Sequence, residues 1–479
     1  MNMDTKITHK SFLQDGEVLC ETVYDPKQDK KVYLCYNRIT GESWRTDTHE
    51  LNERTYAPPM DNLAETKTIL FPSDIQEYGT LDTLFVCVRD YIHSFLELPD
   101  DYLLIATSYV FLSWMYDNFN TLPYLRAKGE FGTGKSRFLS VIGSVCYRPC
   151  FTSGATSASP IFRLLEAYGG LTILLDEADL SQSGAEVEMI KILNSGYSQG
   201  MSVLKTEGDK FRSVYSYKTY GPKLLATRKD FQDLALESRC LTNYMKPMTR
   251  TDIPTDLPDS FHTQAEMLRN QLLYFRLRFF GKIHMTTGMR IEGVEPRMNQ
   301  ILMPLLAIAG NSEIKKEIEA FGRKHAQIQR QNRGATLEAD ILETMVEMVK
   351  EKAVLKNKTI SQKLNNKRDA SEFSVSPSKI GRVNSTSFGF QTKKVNGTVE
   401  ILWEAELGKQ LCERYNIPYE VDHVEFVDLA EEEQQKLLEE DPYLDEVNQA
   451  FGVTSTSSTR PTNGKELSEQ RIKDEPNKQ

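Results

Sequence analysis

Apolar and polar residues alternate along residues 15–47, as in Val18 and Cys20. The turn-prone segments Asp25-Pro26-Lys27 and Thr40-Gly41 divide this alternation into short runs. A period of two predicts strands, because successive side chains of a strand point to opposite faces. We therefore expect the chain to begin with a small β-meander.

Apolar residues recur at three- and four-residue spacing in residues 81–96 and 101–115, which predicts two helices. The second of them carries Trp114, which we assign to the core rather than to a binding role. The same spacing predicts helices at residues 159–168 and 186–196. We expect the first two helices to pack against the domain that follows them in the chain.

Short apolar runs predict buried parallel strands at residues 171–175 and 223–226, and one more just before a glycine-rich loop. That loop reads Gly129-x4-Gly134-Lys135-Ser136 and is followed by a helix. Glycines at 129, 132 and 134 free the backbone to turn its N–H groups toward one anion. A loop of this spacing between a strand and a helix is typical of a nucleotide triphosphate site.

Each polar side chain of the loop has a predicted role. Lys135 reaches the β and γ phosphates of ATP, and the Ser136 hydroxyl binds Mg²⁺. The predicted ATP-binding residues are Gly129, Glu130, Phe131, Gly132, Thr133, Gly134, Lys135 and Ser136.

Two adjacent carboxylates follow the strand at residues 171–175. We expect Asp176 to join Ser136 at Mg²⁺ and Glu177 to activate the attacking water. The pair begins about forty residues after the loop, a spacing that favours hydrolysis over binding alone. The sequence therefore predicts a catalytic site with Lys135, Asp176 and Glu177.

A family resemblance emerges from the order of these elements. Their order resembles that of AAA+ ATPases: the loop, the strand before Asp176-Glu177, a hairpin, a strand ending in Thr227 and the run Ala235-Leu236-Glu237-Ser238-Arg239-Cys240. Within them the chain is similar to replicative helicases of phages, plasmids and mobile elements, with kinship to minichromosome maintenance helicases. The resemblance covers about residues 70–310.

The resemblance implies three further catalytic residues. Thr227 stands at the sensor-1 position, and Arg239 corresponds to an arginine finger acting on the neighbouring subunit. A surface arginine in a salt bridge is the alternative for Arg239. Arg297 is the sensor-2 candidate, with Arg269 and Arg276 as competitors.

Strands at 201–204 and 211–217 flank a turn and predict a hairpin. In related helicases this hairpin grips DNA, which makes Lys205, Lys210 and Arg212 candidate phosphate contacts. An ordinary solvated hairpin is the alternative.

The C-terminal part predicts helices at 336–355, 359–364 and 379–384, then strands at 388–395 and 398–403 joined by Asn396-Gly397. This order resembles a winged helix. Duplex DNA would contact its third helix and its wing, and a protein partner is the alternative. The candidate DNA-binding residues there are Lys379, Arg382, Lys393 and Lys394.

Charge and cysteine content change this picture little. The net charge is −10, of which −9 lies in residues 422–479. The acidity therefore belongs to a Ser/Thr-rich tail, which we expect to be disordered apart from a helical pattern at 429–440.

Seven cysteines without paired CxxC spacing argue for free thiols and against a zinc ribbon or a disulfide framework. Cys146 and Cys150 are expected to be buried small residues. With neither an 18-residue apolar run nor a signal-peptide pattern, we expect a cytoplasmic protein without membrane partners.

The sequence thus predicts an α/β chain built on an AAA+ P-loop NTPase core. The expected domains are a β-rich module (1–65), the ATPase core with its preceding helices (66–250), a helical lid (251–330), a winged helix (331–421) and the acidic tail (422–479). The expected function is an ATP- and Mg²⁺-dependent DNA helicase or translocase acting on single-stranded or duplex DNA. It should form a homo-oligomeric ring, expected to be a hexamer, because Arg239 needs a neighbouring nucleotide.

Two other functions fit parts of this pattern. A DNA-bound ATPase switch or loader would recruit replication or recombination partners without unwinding. A small-molecule kinase would use the P-loop but would need neither Glu177 nor Arg239.

Overall fold

The computed structural model describes residues 7–152, 156–180, 186–207, 213–334, 336–368, 374–395 and 398–419. It divides into two compact units, Met1–Thr336 and Leu337–Gln479. The predicted acidic tail, with the helical pattern at 429–440, lies outside the described residues. None of the described helices combines the length and the apolar character that a membrane crossing needs.

Seven short strands begin the first unit. They are β1 (Thr8–His9), β2 (Phe12–Asp15), β3 (Val18–Asp25), β4 (Lys30–Asn37), β5 (Ser43–Thr46), β6 (His49–Leu51) and β7 (Arg54–Ala57). Four of them form the antiparallel sheet β2-β3-β4-β5, and three form the sheet β1-β7-β6. The first sheet confirms the predicted meander. Its two faces are both covered, since Leu19 and Val23 enter the large core of the unit while Cys20 and Cys35 enter a smaller one.

Two helices follow, α1 (Leu81–Phe95) and α2 (Asp100–Trp114), as the apolar spacing predicts. The Thr80 side chain caps α1 by accepting a hydrogen bond from the Thr83 N–H. Helix α2 is buried along nearly its whole length, including Trp114. This confirms that the aromatic residues of this segment form core.

A parallel sheet with its helices lies at the centre of the unit. In chain order the elements are β8 (Tyr124–Lys128), α3 (Lys135–Gly143), β9 (Pro149–Thr152), α4 (Ala158–Tyr168), β10 (Thr172–Leu175), α5 (Glu186–Ser195), β11 (Ser202–Glu207), β12 (Ser213–Lys218), β13 (Lys223–Thr227), α6 (Leu234–Glu237) and β14 (Cys240–Tyr244). The sheet order is β14-β8-β13-β10-β9, and β11 pairs with β12 as a separate hairpin. Because all five strands are parallel, their carboxyl ends share one edge, where open α/β sheets bind ligands.

Three helices complete the first unit: α7 (Asp259–Phe279), α8 (Pro296–Ile308) and α9 (Ser312–Gly334). Their buried residues, such as Leu272 and Leu302, share one hydrophobic core with Phe138 of α3. Residues 251–330 are therefore mainly helical. Their role as a lid stays a prediction.

A buried ion cluster joins the N-terminal strands to the rest of the unit. Glu21 is 1 % exposed and accepts hydrogen bonds from Arg148, Arg276 and the Tyr147 hydroxyl. Arg276 also pairs with Asp117 at 2.6 Å. Because a buried carboxylate without its cations is costly, this cluster ties β3 to α7.

The described part of the second unit contains four helices and a hairpin. They are α10 (Leu337–Lys350), α11 (Asn357–Lys367), α12 (Pro377–Val383), β15 (Thr392–Val395), β16 (Thr398–Ile401) and α13 (Ala405–Tyr415). Three helices followed by a hairpin agree with the predicted order, although the turn Asn396-Gly397 lies outside the described residues. The expected strand start at residue 388 is wrong, because Asn384–Phe388 continue α12 as a π-helix. Helix α13 is an addition that the sequence did not predict, and its Leu411 packs in the core of this unit.

Candidate functional site

The loop between β8 and α3 has the backbone shape that the glycine spacing predicts at two of three positions. Gly132 and Gly134 have φ of 75° and 85°, in the region that favours glycine. Gly129 does not adopt a positive φ, which corrects the expectation for that residue. It is required for close packing instead, since a Cβ there would lie 2.7 Å from Thr133 Oγ1 and 2.9 Å from the Met245 carbonyl oxygen.

A cavity of about 350 Å³ opens at this loop, beyond the carboxyl ends of the central strands. Five side chains predicted to act together line it: Lys135, Ser136, Asp176, Glu177 and Thr227. They come from the loop, from the segment after β10 and from the end of β13. Because these strands are parallel neighbours, their ends bring residues as distant in the chain as Lys135 and Thr227 to one place.

Lys135 is folded over its own loop. Its Nζ donates to the Glu130 carbonyl oxygen at 2.7 Å and lies 5.9 Å from the Phe131 ring centroid. The ammonium group thus satisfies a loop carbonyl and has no carboxylate within ion-pairing distance among the described residues. A phosphate oxygen could replace that carbonyl as its acceptor.

The two carboxylates lie at the turn that follows β10. Asp176 accepts a hydrogen bond from the Glu177 N–H at 2.9 Å. Glu177 is exposed and has φ of 52°, an uncommon conformation for a residue with a Cβ. Such conformations cluster at functional sites, where they direct a side chain that regular backbone would turn elsewhere.

Thr227 provides a test of whether a bound nucleotide fits this cavity. The residue is fully buried, and its hydroxyl oxygen has no hydrogen-bond partner among the described residues. An unsatisfied buried hydroxyl costs about 1–3 kcal/mol, so a partner supplied by a ligand would be favourable. The Thr227 hydroxyl, the Lys135 ammonium and the carboxylate pair fit ATP with Mg²⁺.

An ion pair at the same cavity was not identified from the sequence. Asp179 accepts hydrogen bonds from Arg228, from its N–H at 2.6 Å and from its Nε at 2.7 Å. Burial alone would raise the pKa of the Asp179 carboxyl, but the bonds from Arg228 and Lys229 outweigh it and lower that pKa. The guanidinium of Arg228 also lies 4.7 Å from the Phe131 ring centroid. The sequence indicates Arg228 only by its position directly after Thr227.

Arg239 and Arg297 do not line the cavity of their own chain. Both lie against one aromatic ring, with guanidinium carbons 4.1 Å and 5.2 Å from the Tyr197 centroid. Arg239 is 8 % exposed and donates to Asn194 Oδ1. A hydrogen bond from Arg297, together with both positive charges, lowers the pKa of the Tyr197 phenol.

The two competitors of Arg297 have other partners. Arg269 is buried and donates to the carbonyl oxygens of Phe71 and Ser144. Arg276 belongs to the Glu21 cluster. Neither lines the cavity at the loop.

The predicted DNA contacts differ in their surroundings. Lys205 turns inward, with its Nζ 4.1 Å from the Phe162 ring centroid and 3.2 Å from Glu188 Oε2. Lys210 and Arg212 lie outside the described residues. In the second unit the four candidates are all exposed: Lys379, Arg382, Lys393 and Lys394.

Comparison with known proteins yields weak structural similarities. No known protein-family profile matches the chain, and neither does a curated protein. The A form apo structure of the NrS-1 C-terminal region, CTR(305-718), is 13 % identical with a TM-score of 0.36, and the match covers 80 % of this chain and 96 % of that chain. The X-ray structure of JCV helicase is 12 % identical with a TM-score of 0.24, covering 52 % and 62 %. Similarities at this level establish neither a family nor an activity for this chain.

Proposed function

We propose that this protein is an ATP-dependent DNA helicase or translocase, a ring-forming motor of phage or mobile-element replication. One observation carries the proposal. A single cavity at the sheet edge is lined by Lys135, Ser136, Asp176, Glu177 and Thr227, the set that ATP hydrolysis requires.

The proposed roles follow from the chemistry of these side chains. The loop N–H groups and Lys135 would hold the phosphates, and Ser136 and Asp176 would hold Mg²⁺, which would supply positive charge beside the transferred phosphoryl group. Glu177 accepts the proton of the attacking water, because it is the exposed carboxylate of the pair. Thr227 donates its unpaired hydroxyl to the water or to the γ-phosphate.

Assembly into a ring is supported by the surroundings of Arg239 and Arg297. Neither guanidinium has a carboxylate partner within 4 Å among the described residues, although Arg239 is largely buried. Two cations on one ring, with no ion-pairing carboxylate among the described residues, favour an anion supplied from outside the chain. We infer that the anion is the γ-phosphate held by a neighbouring subunit, in a ring of six.

Contact with DNA is proposed for the second unit. Lys379 and Arg382 lie three positions apart on α12, which places them on one face of the helix. Lys393 and Lys394 lie on β15 of the hairpin. Exposed cations on a third helix and a wing suit the groove and phosphates of a duplex.

Strand displacement on a forked duplex, measured beside DNA-stimulated ATP hydrolysis, tests this proposal. A helicase should displace the strand with ATP and should fail to do so with a non-hydrolysable analogue. DNA-stimulated hydrolysis without displacement would instead favour the switch or loader. Hydrolysis that DNA does not stimulate would contradict both.

A further inference from the structure

Two cysteines face each other inside the N-terminal strands. Cys20 of β3 and Cys35 of β4 are directly opposite in the antiparallel register, so their side chains leave the same face of the sheet. Both are fully buried, in a small core that also contains Leu13 and Tyr56. Neither thiol is in a disulfide.

A histidine from the second small sheet meets this pair. His49 begins β6, and one of its ring nitrogens and the two sulfurs all lie within 4.8 Å of one another. The Nε2 of His49 is also 3.0 Å from Asp15 Oδ2. Two thiols and an imidazole thus converge from three strands of two sheets.

We propose that Cys20, Cys35 and His49 form a binding site for a zinc ion. Thiolate sulfur and imidazole nitrogen are the ligands that Zn²⁺ prefers, and four-coordinate geometry requires donors a few ångströms apart. Asp15 accepts a hydrogen bond from the ring nitrogen of His49 that does not bind the metal. A carboxylate in this position orients the imidazole and raises its basicity. A water molecule is the fourth ligand.

The site is structural. It lies between the sheets β2-β3-β4-β5 and β1-β7-β6, whose shared core contains few apolar side chains. Small β modules with little core are often stabilised by a metal. The zinc ion would therefore fasten β6 to the meander and hold the N-terminal module in one arrangement.

All seven cysteines are free, as the sequence predicts, and the proposed site is not a zinc ribbon. The ligands are separated by fifteen and fourteen residues and come from different strands, so CxxC spacing is no guide to them. Register and sheet packing bring them together.

The test is the metal content of the full-length protein, purified under reducing conditions from zinc-supplemented medium and measured by mass spectrometry of the metal. We expect about one zinc ion per chain. The variants Cys35→Ser and His49→Gln should both lose most of it. Cys87→Ser, which changes an exposed thiol outside the cluster, should keep it.

Cobalt substitution gives a second readout that does not depend on the folding of a variant. The wild-type chain loaded with Co²⁺ should show sulfur-to-cobalt charge transfer and tetrahedral d–d absorption. Three results would overturn the proposal: protein from zinc-supplemented medium that contains no zinc, a Cys20–Cys35 disulfide in that protein, or zinc that is retained by both variants.

Discussion

The guanidinium of Arg239 lies 4.1 Å from the ring centroid of Tyr197, which holds this arginine against its own chain. Arg297 lies on the same ring, and neither cation has a carboxylate partner among the described residues. The pair is thus a positively charged feature outside the cavity that contains Lys135. Substitution of Arg239 therefore tests whether this chain forms the proposed ring.

Arg239→Ala should slow ATP hydrolysis by a factor of about 10³, the effect of removing an arginine finger. Lys135→Ala should abolish nucleotide binding and with it hydrolysis. The two variants impair opposite sides of one proposed interface. Mixing them should restore about a quarter of the interfaces, and hydrolysis should exceed that of either variant alone.

The mixing experiment requires that both variants assemble and exchange subunits, which sedimentation and fluorescence transfer can establish. Arg323→Ala is the matched control, because it removes an exposed arginine that pairs with Glu319 on α9 and lies outside the cavity, and it should hydrolyse ATP at the wild-type rate. If mixtures assemble but no ratio exceeds the parents, Arg239 does not act in trans.

Four exposed cations of the second unit should determine the salt dependence of duplex binding. Replacing Lys379, Arg382, Lys393 and Lys394 by Gln should weaken binding and reduce the slope of log K against log salt by up to about 4. The slope falls because fewer counterions are released from the DNA. Fluorescence anisotropy over a salt series measures it.

A matched control for this series lies on α11. Lys363 pairs with Glu351 and Lys367 with Glu347, so replacing these two lysines by Gln should leave the slope nearly unchanged. Equal slopes for wild type and the fourfold variant would favour a protein-binding second unit.

Glu21→Gln should destabilise the first unit strongly. The carboxylate balances two buried arginines, Arg148 and Arg276, and its loss should cost about 3–5 kcal/mol. Urea unfolding measures this, with the exposed Glu50→Gln as the control. A loss below about 1 kcal/mol would show that the cluster is not a main support of the N-terminal strands.

Stability should fall in mild acid because of His325. Burial, and after it the charge of Arg126, lowers the pKa of His325 to about 4, against about 6.5 in an unfolded chain. The folded state therefore disfavours the protonated ring, and its stabilising contribution is complete above pH 6.5 and is lost as the pH falls toward 4.

His325→Gln should remove this dependence. Between pH 7 and pH 5 the wild type should lose roughly 1–2 kcal/mol more of its unfolding free energy than the variant. Urea titrations at the two pH values test this, and parallel losses would contradict the assigned pKa.

Local patterns predicted much of the fold and of the site. The glycine-rich loop, the apolar strand before Asp176 and the alternation of the meander are short-range signals, so their elements are found where the sequence predicts them. The contacts that depend on tertiary packing were missed. The contact of Lys205 with Phe162 and the close packing of Gly129 against Met245 involve residues distant in the chain, so no local pattern indicates them.

Glu177 is proposed to activate the attacking water without contributing to the binding of ATP. The direct measurement is steady-state ATP hydrolysis by Glu177→Gln, with ATP affinity measured on the same protein and Glu166→Gln, on the exposed face of α4, as the control. The variant should bind ATP within about threefold of wild type, and its turnover should fall by about 10²-fold or more, because the amide cannot accept the proton. Turnover within about threefold of wild type would show that Glu177 is not the general base.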